Sequence, residues 1–251
     1  MPARLYLLHG SHPCDTVEKA FEIKGLPLKY VELPISMQPV IMKPLFGDRT
    51  VPGVRFEDGE KVQGSCAILR ALEQRVASPP LYDGPAGAAA IEEAERWGND
   101  VFQSVPRRML WAAFSVYPRA MHGFQEGARS PKLPMLVVVA LSKVVLPIER
   151  RLNNVDDATV RADLAALPGY LDQVDQYIAD GVLNGEQPNA ADLQIAPTLR
   201  LLYALEDVRP LIDGRPAKDF AFRWFPQLTA SVPTGALPAQ TAAQAATLPA
   251  A

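Results

Sequence analysis

The stretch LYLLHGSHPCDTVEKAFEIKGLP, residues 5–27, decides how this chain is read. With Arg4 it opens on RLYLL (4–8), a short apolar run of the kind that forms a buried strand. From Thr16 onward Val17, Ala20, Phe21 and Ile23 recur at helical spacing, and Gly25 stops the helix. Between strand and helix lies HGSHPCDTV (9–17), which packs two histidines, a serine, a proline and a cysteine into one turn. Three chemistries use such residues: a metal site, half of a redox pair, and a helix start that holds another molecule's thiol. The metal reading of His9, His12 and Cys14 lacks a fourth ligand and any repeated Cys/His element, so no metal is expected. The redox reading lacks its first cysteine, because Ser11 occupies the leading position of a Cys-x-x-Cys pair and only Cys14 remains. For the third reading, Pro13 suits a first helical turn, where its missing N–H would have no partner. The free N–H groups of that turn favour an anion, and a thiolate held there is stabilised over its thiol. Ser11 would donate its O–H to that sulfur and orient it without attacking anything itself. The plainer alternative makes Ser11 an N-cap only, with Cys14 packed inward as a small apolar residue.

Working outward, LKYVELP (28–34) alternates as a second strand and ends at Pro34. A loop carrying Pro39 and Pro44 is expected next. VPGVRFEDGEKVQG (51–64) reads as two strands joined by Asp58-Gly59, a strong hairpin signal. SCAILRALEQRV (65–76) reads as a helix capped by Ser65. The Pro-, Gly- and Ala-rich segment 77–90 reads as a linker. Beyond it only helical patterns occur, over 91–116, 133–153, 157–180, 190–206 and 217–224. The expected organisation is therefore α+β: a βαβ-ββα domain over 1–76, a linker over 77–90, an all-helical domain over 91–232 and a disordered tail over 233–251.

Composition narrows the function. The chain of 251 residues has a net charge of -3, so it offers no basic excess for nucleic acid. Two cysteines, Cys14 and Cys66, make no disulfide framework, which points to a reducing, cytoplasmic setting. The apolar part of MPARLYLLHG is too short for a secretory signal. LPMLVVVALSKVVLP (133–147) is apolar nearly all round, but it is short for a bilayer and carries Lys143. It reads first as a core or dimer helix and second as a helix lying on a membrane surface, not as an integral membrane segment. NAAD (189–192) has the form of a capping box, with Asn189 at the N-cap and Asp192 at N3, and its role is structural.

Three segments in this order resemble the cytosolic glutathione transferase family. LYLLHGSHPCDTVEKAFEIKGLP is similar to the family's first strand, catalytic turn and first helix, and its SHPC looks like the serine-using, theta-type form. TVPGVRFEDGEKVQGSCAIL (50–69) resembles the family's Val-Pro turn, hairpin and following helix. NGEQPNAADLQIAPTL (184–199) resembles a helix start of the second domain, which the family uses for folding. With the helical pattern the resemblance spans about residues 4–230.

The resemblance implies a thioredoxin-like first domain and an all-α second domain. It implies glutathione as co-substrate, no metal, a homodimer, and a detoxifying attack of the thiol on a hydrophobic electrophile. It makes Ser11 the catalytic residue, with Cys14 as rival if the protein is a thioltransferase. It assigns His12, Val51, Pro52, Gly64 and Ser65 to glutathione. Val51-Pro52 would be cis and would offer a backbone edge to the peptide-like ligand. Ser65 would receive the γ-glutamyl carboxylate. The family usually carries Glu or Gln where this chain has Gly64, which leaves no side chain for the γ-glutamyl ammonium and admits a related thiol instead. Arg107, Arg108 and Trp111, in SVPRRMLWAAF (104–114), would line the electrophile pocket between the domains. A transferase-like binding or scaffold protein that has lost good thiol binding is the non-enzymatic alternative.

Overall fold

In the computed structural model residues 2–238 are described. The first domain runs β1 (Ala3–Leu7), α1 (His12–Ile23), β2 (Leu28–Glu32), α2 (Gln38–Phe46), β3 (Gly53–Arg55), β4 (Lys61–Gln63) and α3 (Ser65–Arg75). Its four strands are ordered β2-β1-β3-β4. β1 runs parallel to β2, with Leu5 opposite Tyr30, and antiparallel to β3, with Leu5 opposite Val54. The α1 crossover makes the parallel pair possible, and the turn with Gly59 at φ +93° joins β3 to β4 as an antiparallel hairpin. This is the thioredoxin-like arrangement expected.

The segment 35–46 differs from the expected loop, because α2 forms there despite both prolines. Pro39 sits in the first turn, where no N–H is needed, and the helix ends on left-handed Gly47 soon after Pro44. At α3 the cap also differs. Gly64, with φ +90°, is the N-cap and Ser65 is already helical, so Ser65 does not cap the helix. A residue with a Cβ would be strained at that backbone angle.

The helical domain contains α4 (Ala88–Trp97), α5 (Ser104–Val116), α6 (Met135–Leu152), α7 (Asp157–Ala179), α8 (Ala190–Tyr203), and the short α9 (Arg209–Ile212) and α10 (Pro216–Arg223). The expected single helix over 91–116 is broken. A π turn over Gly98–Phe102 slips the register, with the Gln103 N–H reaching the Gly98 carbonyl at 2.8 Å. The slip leaves Pro106 in the first turn of α5, where its missing N–H costs nothing. Gly98 also lets the turn approach α8, since a Cβ there would lie 2.9 Å from Ile195. A further 3-10 segment, Pro118–Gln125, precedes α6 and was not among the expected helices.

α8 is the spine of the molecule, with twelve of its residues buried. One continuous hydrophobic core joins both domains, from Leu5 and Val54 of the sheet to Leu193 and Leu199. Polar contacts fix the same junction. Thr16 donates to the Leu193 carbonyl at 2.7 Å, and Asp15 pairs with Arg200. The sequence predicts a tail from 233, but residues 235–237 are fastened. Their three N–H groups donate to the Asp207 carboxylate, and Ala236 and Leu237 are buried. The rest of the expected tail, 239–251, lies outside the described residues. Among the described residues no helix is long and apolar enough to cross a membrane.

Candidate active site

A cleft of about 800 Å³ lies between the domains. Its floor is the turn from β1 to α1, including Gly10, Ser11 and His12; one rim is Glu32–Ile35 and Arg49–Val51. The opposite wall comes from α5 and α6. The cleft thus collects some of the expected residues and omits others. Ser11, His12, Val51, Arg107, Arg108 and Trp111 line it, whereas Cys14, Pro52, Gly64 and Ser65 do not.

Ser11 occupies the N-cap position of α1, yet its side chain makes no capping bond to the helix. Its backbone carbonyl takes the Cys14 N–H at 2.8 Å. The hydroxyl is therefore not consumed by helix capping, and the helix N-terminus behind it favours negative charge. Val51 stands beside it on the rim, and the Val51-Pro52 bond is cis. Among the described residues the Val51 N–H and C=O make no hydrogen bond. Half-buried and unpaired, they form a short strand edge facing the cleft. Gln63 holds this edge in place, donating to the carbonyls of Asp48 at 3.0 Å and Thr50 at 2.6 Å. Sequence reading missed that role, and no spacing signal could have shown it.

Cys14, the rival nucleophile, lies off the cleft. It is 1% exposed inside the core cluster. Burial pushes its thiol up to about 12, against the Ser11 hydroxyl and the Leu8 backbone that favour the thiolate. At neutral pH it stays a thiol with no path to a substrate. Cys66 is alike: burial first, then the charge of Glu95, raise it to about 12.

His12 lies at the floor of the cleft and is buried. Burial first, and then the nearby Arg107, hold its imidazole well below the usual histidine value, so it is neutral at pH 7. Its Nε2 donates to the Gln103 carbonyl at 3.1 Å and so ties α1 to the helical domain. His9 makes a similar tie, with Nε2 at 2.8 Å from the Glu126 carbonyl. Among the described residues no group of three His, Cys, Asp or Glu is placed to hold a metal ion.

The two arginines divide. Arg108 is clamped by Asp163 of α7 through two bonds of 2.6 Å, a bidentate pair that takes its charge away from the cleft. Arg107 bonds the Gln103 amide oxygen at 2.9 Å and, among the described residues, has no carboxylate partner. Burial lowers its pKa, but a guanidinium keeps its proton. It is the uncompensated cation of this wall. Trp111, Phe114 and Phe124 stack edge to face beside it and make the rest apolar and aromatic.

Ser65 lies off the cleft, 2% exposed, with a hydroxyl that has no partner. A buried hydroxyl without a partner is uncommon and costly.

Residues 5–80 match the family model of the glutathione S-transferase N-terminal domain. Over that stretch the chain is similar to the first domain of this family. Solved transferase structures extend the likeness over both domains. A theta class enzyme from the citrus canker pathogen Xanthomonas axonopodis pv. citri, with glutathione bound, is 17% identical with a TM-score of 0.57, covering 93% of this chain and 100% of that one. Glutathione transferase F7 from Populus trichocarpa is 16% identical with a TM-score of 0.58, covering 87% and 91%. Maleylacetoacetate isomerase from Anaeromyxobacter dehalogenans 2CP-1, with dicarboxyethyl glutathione and citrate in its active site, is 20% identical with a TM-score of 0.51, covering 88% and 87%. At these identities the likeness establishes the transferase fold. No curated protein sequence matches the chain.

Proposed function

We propose that the protein is a glutathione transferase that binds glutathione, or a closely related thiol, along the Val51 edge and holds its sulfur at Ser11. The observation that carries this reading is the unpaired Val51 peptide edge beside an uncapped Ser11 hydroxyl at the start of α1. A peptide-like thiol pairs its backbone with the first and presents sulfur to the second. The α1 N-terminus and the hydroxyl lower the pKa of that sulfur, so more of it is thiolate at neutral pH. The thiolate attacks an electrophilic carbon, forming a C–S bond, and the displaced pair leaves with the leaving group or moves into the acceptor's π system.

Arg107 and the Trp111–Phe114–Phe124 wall support an electrophile that is apolar or aromatic with an anionic group. The dicarboxyethyl glutathione bound in the isomerase structure is a precedent for such charge in this fold. Ser65 would contribute only if the thiol's carboxylate reaches its buried hydroxyl.

Calorimetry with glutathione on wild type and on Ser65→Ala tests the thiol assignment. Micromolar to low-millimolar binding that Ser65→Ala weakens would put the γ-glutamyl carboxylate on α3. Unchanged binding in the variant would place the ligand on the Val51 edge alone. No binding heat would sink the glutathione assignment and favour another cellular thiol or a scaffold role.

A further inference from the structure

Between α5 and α6 the chain leaves the helical domain and crosses to the first one. The 3-10 segment ends at Gln125, and residues 125–133 form a loop whose two ends meet. The Gln125 side chain holds Leu133 twice: its oxygen accepts the Leu133 N–H at 2.8 Å, and its amide donates to the Leu133 carbonyl at 3.3 Å. A compact surface loop with joined ends is an Ω-loop. Its base is rooted, because Phe124 packs edge to face on Phe114 and lies against the core. Gly127, at φ +81°, turns the chain away from that base.

The tip of the loop reaches Glu32 at the end of β2. That carboxylate accepts the backbone N–H groups of Arg129 at 2.8 Å and Ser130 at 3.1 Å. The Arg129 guanidinium pairs with Glu18 of α1 at 2.8 Å and lies 3.6 Å from the centre of the Tyr30 ring. Glu32 belongs to one rim of the cleft, and α5 and α6 form the opposite wall. Gln125, Ala128, Ser130, Pro131 and Leu133 line the cleft as well, so the loop bridges the two walls on one side of the mouth.

Base and tip are held differently. The base rests on a packed aromatic pair. The tip buries no large apolar side chain: Ala128 is half-buried, and Arg129, Ser130 and Pro131 are exposed. Its bonds are polar and open to solvent, so water replaces them with little net loss. Segments held in this way open locally while the rest of the fold stays intact.

We propose that residues 126–132 are a lid on the cleft, hinged at the Gln125–Leu133 base and latched by Glu32 and Arg129. Closed, as in this structure, the lid sets Ala128 and Pro131 at the cleft edge and keeps water from the aromatic wall. Open, it widens the way in and out for whatever the cleft binds. The inference does not depend on which thiol or electrophile that is.

The test is amide hydrogen exchange on the full chain, followed residue by residue by nuclear magnetic resonance, with and without sub-denaturing urea. The Arg129 and Ser130 N–H groups should be protected, yet exchange faster than the core amides of α8, at a rate that low urea leaves unchanged. Arg129→Ala keeps both N–H groups and their Glu32 acceptor, but should still speed the exchange of both about fivefold, because the latch opens as a unit. The Leu133 N–H at the base should keep its wild-type rate. Acrylamide quenching reads the cleft itself, since Trp111 lines it. The emission due to Trp111, taken as the difference from the matching Trp111→Phe proteins, should be quenched more strongly when Glu32→Ala and Arg129→Ala are combined. Circular dichroism and urea unfolding confirm that each variant keeps the fold. Tip amides as slow as those of α8 would overturn the proposal in favour of a fixed wall. Tip amides without protection would overturn it in favour of a loop that never latches. Unchanged tip exchange in Arg129→Ala would show that there is no shared latch, and unchanged Trp111 quenching in the double variant would show that the loop gates nothing; either result overturns the proposal.

Discussion

At the start of α8 the Asn189 oxygen accepts from the N–H groups of Ala191 and Asp192, while the Asp192 carboxylate accepts from the Asn189 N–H at 2.8 Å. At the start of α1 the Ser11 side chain makes no such bond. Both helices begin with a residue type that caps well, at the same junction of the two domains. One start answers its own backbone and is sealed in the core, with Asp192 0% exposed. The other opens on the cleft and leaves its N–H field for a ligand. A saturated helix start stabilises the fold; on the proposed reading the unsaturated one binds.

The largest effect that would sharpen this contrast is on stability at α8. Asp192→Ala strands the N–H groups of Asn184 and Asn189, both bonded to that carboxylate. Urea unfolding should show a loss of roughly 3 kcal/mol, with turnover per folded molecule unchanged. The pH profile carries a second signature. Burial, acting against those N–H groups, raises the Asp192 carboxyl to about 6 from 3.8. A value raised in the folded state stabilises fully below the unfolded value, and that contribution is lost as pH rises through about 6. Stability from this group should therefore fall between about pH 4 and about pH 6, and Asp192→Asn should flatten the slope.

At α1 the pattern reverses. Ser11→Ala should reduce turnover roughly thirtyfold, about 2 kcal/mol of transition-state stabilisation. Its unfolding midpoint should barely move, because no capping bond is lost. A stability loss as large as that of Asp192→Ala would break the contrast. A step smaller, Arg107→Gln should raise KM for anionic electrophiles about tenfold and leave neutral ones unaffected, a difference of ~1.4 kcal/mol. Smallest is Cys14→Ala, which should cost about 1 kcal/mol of stability through lost packing and leave turnover intact. Native Cys14 should resist thiol reagents at neutral pH. Rapid labelling would return it to the list of nucleophiles.

Much of this was legible in sequence where one residue type has one local consequence. The apolar run before Gly10, the Asp58-Gly59 turn and the Asn189–Asp192 box each declare themselves within a few residues. The readings that failed depended on distant neighbours. Pro39 and Pro44 argued for a loop, but Pro39 falls in the first turn of α2, where no N–H is needed, and Pro44 comes only three residues before the left-handed end at Gly47. Arg107 and Arg108 are indistinguishable in the chain; both line the cleft, and only Asp163 on another helix ties up the charge of Arg108. His12 is neutral because of burial and Arg107, neither visible in its local motif. Ser65 looked like a cap, but the left-handed Gly64 takes that position. Apolarity all round α6 could not say which side would be covered.

The most direct test of the account is the pKa of the bound thiol. Glutathione bound to wild type and to Ser11→Ala should be titrated by its thiolate absorbance in the ultraviolet. The account predicts a bound thiol ionising well below the ordinary value of about 8.5 in wild type, and returning toward it in the variant. An equal pKa in the two proteins, with glutathione bound to both, would show that Ser11 does not hold the sulfur.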